Sequence, residues 1–271
     1  HLKMETSLVT VNPSPIAVSI PQCIHVIVSF EGTDLGLVTA CNSAIGAHGR
    51  THLSGVQVEM TSDKNTESLV RETITRYING KDTVLDVRGA SPCCSGPTAP
   101  FLQPSLSLFK SKSLLSGLPK GIMAKAALAL RPDLSKLPKL FAPVTLSIGN
   151  PWSGSLQVTS VRANIFIMDK AGNYTVLLGT IPPLDLSKDP LVIKGMHEVP
   201  QPQDVHPIPV NLVVGNCALG HITDCLSDVK RLLMSGKVLI RADCTMGIQV
   251  GHGFELEAEY RQDGIPVYLT L

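Results

Sequence analysis

Aromatic residues make up only 4% of this 271-residue chain, and charged residues only 17%. The first scarcity leaves Leu, Val, Ile and Ala to build the core. The second, with a formal net charge of +1, removes the field that a nucleic-acid partner requires, and no Lys/Arg stripe with interleaved aromatics takes its place. No apolar run approaches the roughly 18 residues that span a bilayer as a helix. The opening "HLKMETSLVTVNPSP" is not a signal peptide, because Pro13 and Pro15 interrupt any apolar segment. The chain begins with His1. The expectation is a processed or excerpted product whose signal or anchor lies upstream, with Met4 as an alternative start.

Chemistry-bearing motifs are also missing. The seven cysteines, Cys23, Cys41, Cys93, Cys94, Cys217, Cys225 and Cys244, contain no C-x-x-C pair, so a zinc site of the usual spacing has no support. Their odd number leaves at least one thiol unpaired within the chain. No G-x-S-x-G elbow offers a nucleophilic serine. "LVVGNCALGHIT" has the Gly215-x-x-x-x-Gly220 frame of a phosphate loop, but His221 stands where lysine is needed and Thr223 is out of register. His48 and His52 sit four apart in the glycine-punctuated "GAHGRTHLSG", read as surface loop rather than metal ligands. Cys41, Cys217 or Cys225 with a distant histidine is read as core or disulfide rather than a catalytic dyad. Glu255, Glu257 and Glu259 alternate with Phe254, Leu256 and Ala258, the pattern of a strand with one wet face. The expectation is no enzyme, no cofactor and no metal.

What the chain does contain is a repeat. "GVQVEM", the helical stripe of "NTESLVRETITRYING" (Leu69, Val70, Ile74, Tyr77, Ile78) and "KDTVLDVRG" read as strand, helix, strand. "IPVNLVVG", "HITDCLSDVKRLLMSG" and "KVLIRADC" repeat that order. Both helices stop at Gly-Lys, as a glycine cap dictates. Upstream, an alternating strand meets Asn12-Pro13 in one half and Asn150-Pro151 in the other. A strand, a turn and a Leu-Gly strand follow in each (Leu35-Gly36, Leu178-Gly179). Proline cannot donate to a ladder, so Asn-Pro reads as a corner at which the chain crosses between sheets. These elements predict a mainly β chain of two tandem immunoglobulin-like β-sandwich domains, each with one C-terminal-side α-helix. Residues 1–92 form the first domain, 93–100 a linker within the seam "ASPCCSGPTAP", and 101–271 the second domain.

The order strand, Asn-Pro corner, strand, turn, Leu-Gly strand, strand, helix, Gly-Lys, strand resembles the water-stress and hypersensitive-response domain. That domain belongs to the second-group late-embryogenesis-abundant proteins and the related fungal vacuolar-membrane family of unknown function. The resemblance covers most of both halves, through a loose motif from which "VNPSP" departs by its second proline. It implies a small β-sandwich with one helix, no catalytic residues, and a role in lipid binding or in protecting membranes and proteins.

The halves also differ. The second has a long lead, "PSLSLFKSKSLL" and "GIMAKAALALRPDLSKLPKLFAP", in which Ser105–Leu108 and Ala126–Leu130 read as strands, whereas the first has only "HLKMET". The first domain is then short by one or two strands and exposes an edge. "GFELEAEYRQDGIPVYLTL" follows the last strand of the second domain and supplies a candidate filler for the next subunit. The alternative is a terminal hairpin on its own domain. Interface candidates are Ile265, Val267, Tyr268, Leu269 and Leu271 as donor and Leu8, Val9 and Val11 as acceptor. The functional expectation is a structural subunit, partnered by copies of itself, assembling head-to-tail into an extracellular or cell-surface filament. The sequon at Asn173 is a candidate N-glycan site. The alternative is a lipid-binding or membrane-protective module released from an anchored precursor, in the vacuolar lumen or outside the cell.

Overall fold

The computed structural model describes residues 2–60, 66–94, 99–118, 121–129, 140–150, 152, 154–168, 174–195, 198, 202–205, 207–212, 237–250 and 254–270. Among the described residues the protein is mainly β, with few helices and two curled sheets. It divides into two compact units. Unit 1 comprises His1–Thr73 and Asp82–Ser116, and unit 2 comprises Ile74–Lys81 and Gly117–Leu271.

Unit 1 is built from β1 (Leu2–Asn12), β2 (Val18–Phe30), β3 (Thr33–Ile45), β4 (Gly49–Met60), β5 (Thr83–Cys94) and β6 (Lys110–Leu115), paired in the order β1-β4-β3-β2-β5-β6. Every described ladder in it is antiparallel. A disulfide joins Cys23 to Cys41 across β2 and β3, where the two residues are register partners. The core cluster is Val38, Ala40 and Val56, with Ile24, Val26, Val28, Leu53 and Val58 packed against it.

Helix α1 (Glu67–Ile78) follows the expected stripe, burying Val70 and Ile78. Glu67 in the first turn and Arg76 in the last suit the helix dipole. Gly80, at φ +70°, ends it: Gly80 N–H donates to Tyr77 O at 3.1 Å and Lys81 N–H to Arg76 O at 2.9 Å. Those two bonds make a Schellman cap, which is why the chain reads Gly-Lys there. The second Gly-Lys and its expected helix, 221–236, lie outside the described residues.

Unit 2 contains β7 (Met123–Ala129), β8 (Leu140–Ile148), β9 (Leu156–Met168), β10 (Tyr174–Asp185), β11 (Leu191–Ile193), β12 (Gln203–Asp204), β13 (Ile208–Leu212), β14 (Lys237–Val250) and β15 (Phe254–Thr270). Their order is β10-β13-β8-β7-β15-β14-β9-β11, with β12 against β8. Because β10 also pairs β9, the ladder closes on itself. Alternating side chains from all round the ring, among them Ile165, Ile167, Val210, Ile240, Ile265 and Val267, are buried to 7% exposure or less.

The two units share a scheme. Matching β1 to β8, β2 to β9, β3 to β10, β4 to β13, β5 to β14 and β6 to β15 reproduces each neighbour pair of unit 1 in unit 2. Two local devices carry the match down to single residues. Gly36 pairs Met60 at the end of β4, and Gly179 pairs Leu212 at the end of β13. A Cβ at Gly36 would overlap the Glu59 carbonyl oxygen, and one at Gly179 would lie 2.8 Å from that of Asn211. The Leu-Gly pairs mark where two strands approach too closely for any side chain. Gly36→Ala is expected to cost about 1–3 kcal/mol by overpacking. Gly46→Ala, whose Cβ meets Thr51 Oγ1 at an ordinary 3.6 Å, should change stability by less than about 0.5 kcal/mol. Urea titration of both variants separates the two cases.

The second device is the asparagine of the corner. Asn12 accepts from Ser14 N–H at 3.0 Å and donates to the carbonyls of Ile16 and Gly46 at 2.8 and 2.9 Å. Asn150 accepts from Trp152 N–H at 2.9 Å and donates to those of Gly154 and Ile193 at 2.8 and 3.0 Å. Each is a clasp in which one side chain closes its own turn and ties it to a distant segment.

Three expectations are corrected. Residues 105–107, read as the start of a strand, belong to α2 (Ala99–Ser107), which packs on β5 over Gly89, where a Cβ would overlap the Leu106 carbonyl. The seam at 93–100 is not the boundary, because β6 beyond it pairs β5 from Thr83↔Leu115 to Arg88↔Lys110 and so keeps unit 1 running to Ser116. Finally, the C-terminal segment is no spare strand. β15 pairs β14 antiparallel along almost its whole length and β7 parallel from Val267↔Ala126 to Thr270↔Ala129.

Candidate functional site

The scheme shared by the units leaves β7, β11 and β12 of unit 2 unmatched, and of these only β7 closes the ring. In unit 2, β7 lies between β8 and β15, antiparallel to the first and parallel to the second. Among the described residues nothing stands in that place in unit 1, where β1 and β6, the counterparts of β8 and β15, are the two sheet edges. An unpaired edge presents a row of N–H and C=O groups ready to accept another strand.

Burial on either side of the gap differs between the units. Register equates Ile24, Val26 and Val28 of β2 with Val161, Ala163 and Ile165 of β9. The β9 residues are 6–7% exposed, whereas the β2 residues are half-buried. Val9 and Val11 on β1 are 54% and 63% exposed. On the other edge strand, β6, Leu114 is 58% exposed, and its register partner Val84 on the interior β5 is 54% exposed. Apolar side chains therefore flank both edges of the gap, where edge strands more commonly place charge. Lys110 and Lys112 are the exception, at the start of β6.

The sequence-derived candidates fall on both sides of this arrangement. Val9 and Val11 are at the open edge. Leu8 pairs Leu53, a residue packed on the unit 1 core, through its backbone. Ile265 and Val267, 1% and 3% exposed, are core residues of their own ring, Tyr268 is 40% exposed, and Leu269 pairs Leu128. Leu271 and the sequon residue Asn173 lie outside the described residues, as do Cys217, Cys225 and the Gly215–Gly220 loop.

Sequence reasoning missed the lock that seats β7. Tyr260 Oη accepts from Ile122 N–H at 2.8 Å and donates to Gln262 Oε1. Gln262 in turn accepts from Met123 N–H at 2.9 Å and donates to Met123 O at 2.7 Å. Asn79, just past α1, grips β15 from the other side, donating to Glu259 O and accepting from Arg261 N–H, both at 2.8 Å. The spacing Tyr260-x-Gln262, two polar side chains on the face of the strand that Leu256 and Ala258 make apolar, was the available signal.

Chemistry is scarce elsewhere. No group of three or more His, Cys, Asp or Glu able to hold a metal occurs among the described residues. His48 and His52 are exposed. Cys93 and Cys94 are buried with their sulfurs 3.8 Å apart, and burial together with Cys93 pushes the Cys94 thiol up. Burial, with a smaller contribution from the Asp243 charge, pushes Cys244 up to about 12. Thiols held in this way are protonated and poor nucleophiles. Beside a cleft of about 930 Å³ in unit 2, Arg241 and Arg261 alternate with Asp243 and Asp263 in a closed ring of ion pairs at 2.6–3.9 Å, so the charges answer one another. Inside the ring of strands, the apolar void lined by residues such as Met123, Leu128, Ile165 and Ile240 is about 30 Å³. That is room for about two water molecules. No helix among the described residues is long and apolar enough to cross a membrane.

No protein-family model matches the chain, and no curated protein matches it. Among solved structures, a protein from Archaeoglobus fulgidus is similar at 11% identity over 54% of this chain and 95% of its own, with a TM-score of 0.26. The Enterococcus faecalis MSCRAMM ACE, described as binding its ligands by a collagen hug, is similar at 7% identity over 98% of this chain and 83% of its own, with a TM-score of 0.19. Likenesses this loose carry no argument for fold or function.

Proposed function

We propose that the protein is a structural subunit that assembles head-to-tail into an extracellular filament by β-strand addition. One observation carries the reading: among the described residues unit 1 repeats the strand ring of unit 2 without a counterpart of β7, with exposed apolar residues on both edge strands. Added strands take affinity from main-chain hydrogen bonds and specificity from alternate side-chain positions. A strand passed from one copy to the next makes a heterologous contact, and such contacts propagate. The Cys23–Cys41 disulfide supports an oxidising location such as the cell exterior. In this reading each curled sheet is an immunoglobulin-like sandwich, as the resemblance to the late-embryogenesis-abundant domain implies. The donor is not residues 265–271, since removing Ile265 and Val267 would strip the core of unit 2. The acceptor edge, with Val9 and Val11, is kept.

The test is negative-stain electron microscopy of the full chain beside the double variant Val11→Lys, Leu114→Lys. Both side chains are well exposed, so the variant should keep its melting temperature within about 2 °C. Filaments should form from the parent and be at least tenfold shorter in the variant, whose lysines protect the edges. Monodisperse parent particles, carrying extractable lipid or not, would sink the filament reading.

A further inference from the structure

We infer that Asn79 is a site of spontaneous deamidation, held unreactive by its clasp on β15 and released to react when that clasp opens. Asn79-Gly80 is the chain's single Asn-Gly pair. Asparagine followed by glycine closes a succinimide ring most readily, because no side chain hinders the approach of the glycine nitrogen. The whole site lies in unit 2, which holds both Ile74–Lys81 and β15. In the folded chain the reacting groups are engaged. Asn79 Nδ2 donates to Thr75 O at 2.7 Å and to Glu259 O at 2.8 Å, and Oδ1 accepts from Arg261 N–H at 2.8 Å. The nucleophile, Gly80 N, donates its hydrogen to Tyr77 O at 3.1 Å. Reaction therefore requires a local opening that frees both groups.

In that opening the Gly80 nitrogen attacks Asn79 Cγ. A C–N bond forms, the Cγ–Nδ2 bond breaks, and ammonia leaves with the hydrogen that Gly80 gave up. Water then adds across either bond of the imide nitrogen, leaving aspartate or isoaspartate at position 79. Gly80 is exposed, so water is at hand. Both products carry a carboxylate in place of the amide. A carboxylate cannot donate to the Thr75 and Glu259 carbonyls, and negative charge at the C-terminal end of α1 opposes the helix dipole. The clasp therefore does not re-form as it was. Glu259 and Arg261 flank Tyr260, which with Gln262 seats β7. One slow, irreversible reaction thus loosens the strand that carries that lock.

The experiment incubates the full chain at mildly alkaline pH, folded and in concentrated guanidinium chloride, and follows conversion of each asparagine to acid by peptide mass spectrometry. Asn79 should convert fastest of all in the unfolded chain and at least tenfold more slowly in the folded one. Asn42, exposed and without a clasp of this kind among the described residues, is the comparison, and folding should slow it far less. The variant Asn79→Asp, which reproduces one product, should melt at least about 4 °C below the parent. No conversion at Asn79 in the unfolded chain would remove the site. Equal slowing of Asn79 and Asn42 on folding would show that the clasp is not the guard. An Asn79→Asp variant that melts with the parent would show that the modification leaves β15 as firmly held as before, and would overturn its consequence.

Discussion

Asn150→Ala should cost unit 2 about 3–5 kcal/mol, while the equivalent Asn12→Ala should cost unit 1 less than about 1.5 kcal/mol. The two side chains make the same three hydrogen bonds, so geometry does not separate them. Burial does. Asn150 is 7% exposed and one of its acceptors belongs to Ile193, itself 1% exposed. Removing the amide there strands the buried Ile193 carbonyl, at about 1–3 kcal/mol, and breaks the part-buried bonds to the Trp152 N–H and the Gly154 carbonyl, each worth about 0.5–1.5 kcal/mol. Around Asn12 both carbonyl partners are exposed to water, which replaces the lost donor, and only the Ser14 N–H is part-buried. Trp152 is the chain's only tryptophan and packs against Tyr77 with ring centroids 6.2 Å apart. Its fluorescence in a urea titration reads unit 2 selectively. Equal losses at the two positions would mean that the corner acts through backbone conformation and not through buried hydrogen bonds.

Stability should also fall steeply in alkali. Tyr260 and Cys244 are register partners on β15 and β14, 2% and 7% exposed. Burial is the main cause that raises each to about 12, from ordinary values of 10.0 and 9.0. For Tyr260 the N–H donors of Ile122 and Met123 pull the other way. In the folded chain both groups keep their protons at a pH where the unfolded chain has lost them. Below about pH 9 neither contributes to the pH dependence. Above it the unfolded state binds fewer protons, so stability declines as pH rises toward about 12. Between about pH 10 and 12 both groups differ, and the slope approaches 2.7 kcal/mol per pH unit, twice the 1.4 of a single group. Tyr260→Phe should halve that slope, at a baseline cost of about 1–3 kcal/mol for the Ile122 N–H left without an acceptor. Denaturant midpoints by circular dichroism at pH 8, 10 and 11 measure it. A flat profile would show that water reaches both groups in the folded state.

The repeat was legible because its markers are local. Gly80 after a helical stripe, glycine where strands crowd, and asparagine at a corner are each dictated by backbone geometry within a few residues. What stayed hidden was set by distant partners. Leu106 and Leu108 alternate with serines and look like strand, yet helix α2 exists because its backbone seats on Gly89. Leu108, 81% exposed, is not the inward residue that alternation implied. Nothing local in β6 or in the end of β15 names a partner, and only their ladders reveal which unit each completes. The pairing of Tyr260 and Gln262 with the start of β7 joins residues about half the chain apart, beyond the reach of any window.

The position of β7 also orders events during synthesis. It is the first strand of unit 2 to leave the ribosome, but one of its two neighbours, the far end of β15, is the last. At roughly 5–20 residues per second, β7 waits on the order of ten seconds with its parallel edge unmet. An apolar strand in that condition recruits whatever extended chain it meets. Lys125, exposed in the finished sheet, is the single charge in β7. A lone charge on an apolar strand is the pattern by which gatekeeper residues limit misassociation before a sheet is complete.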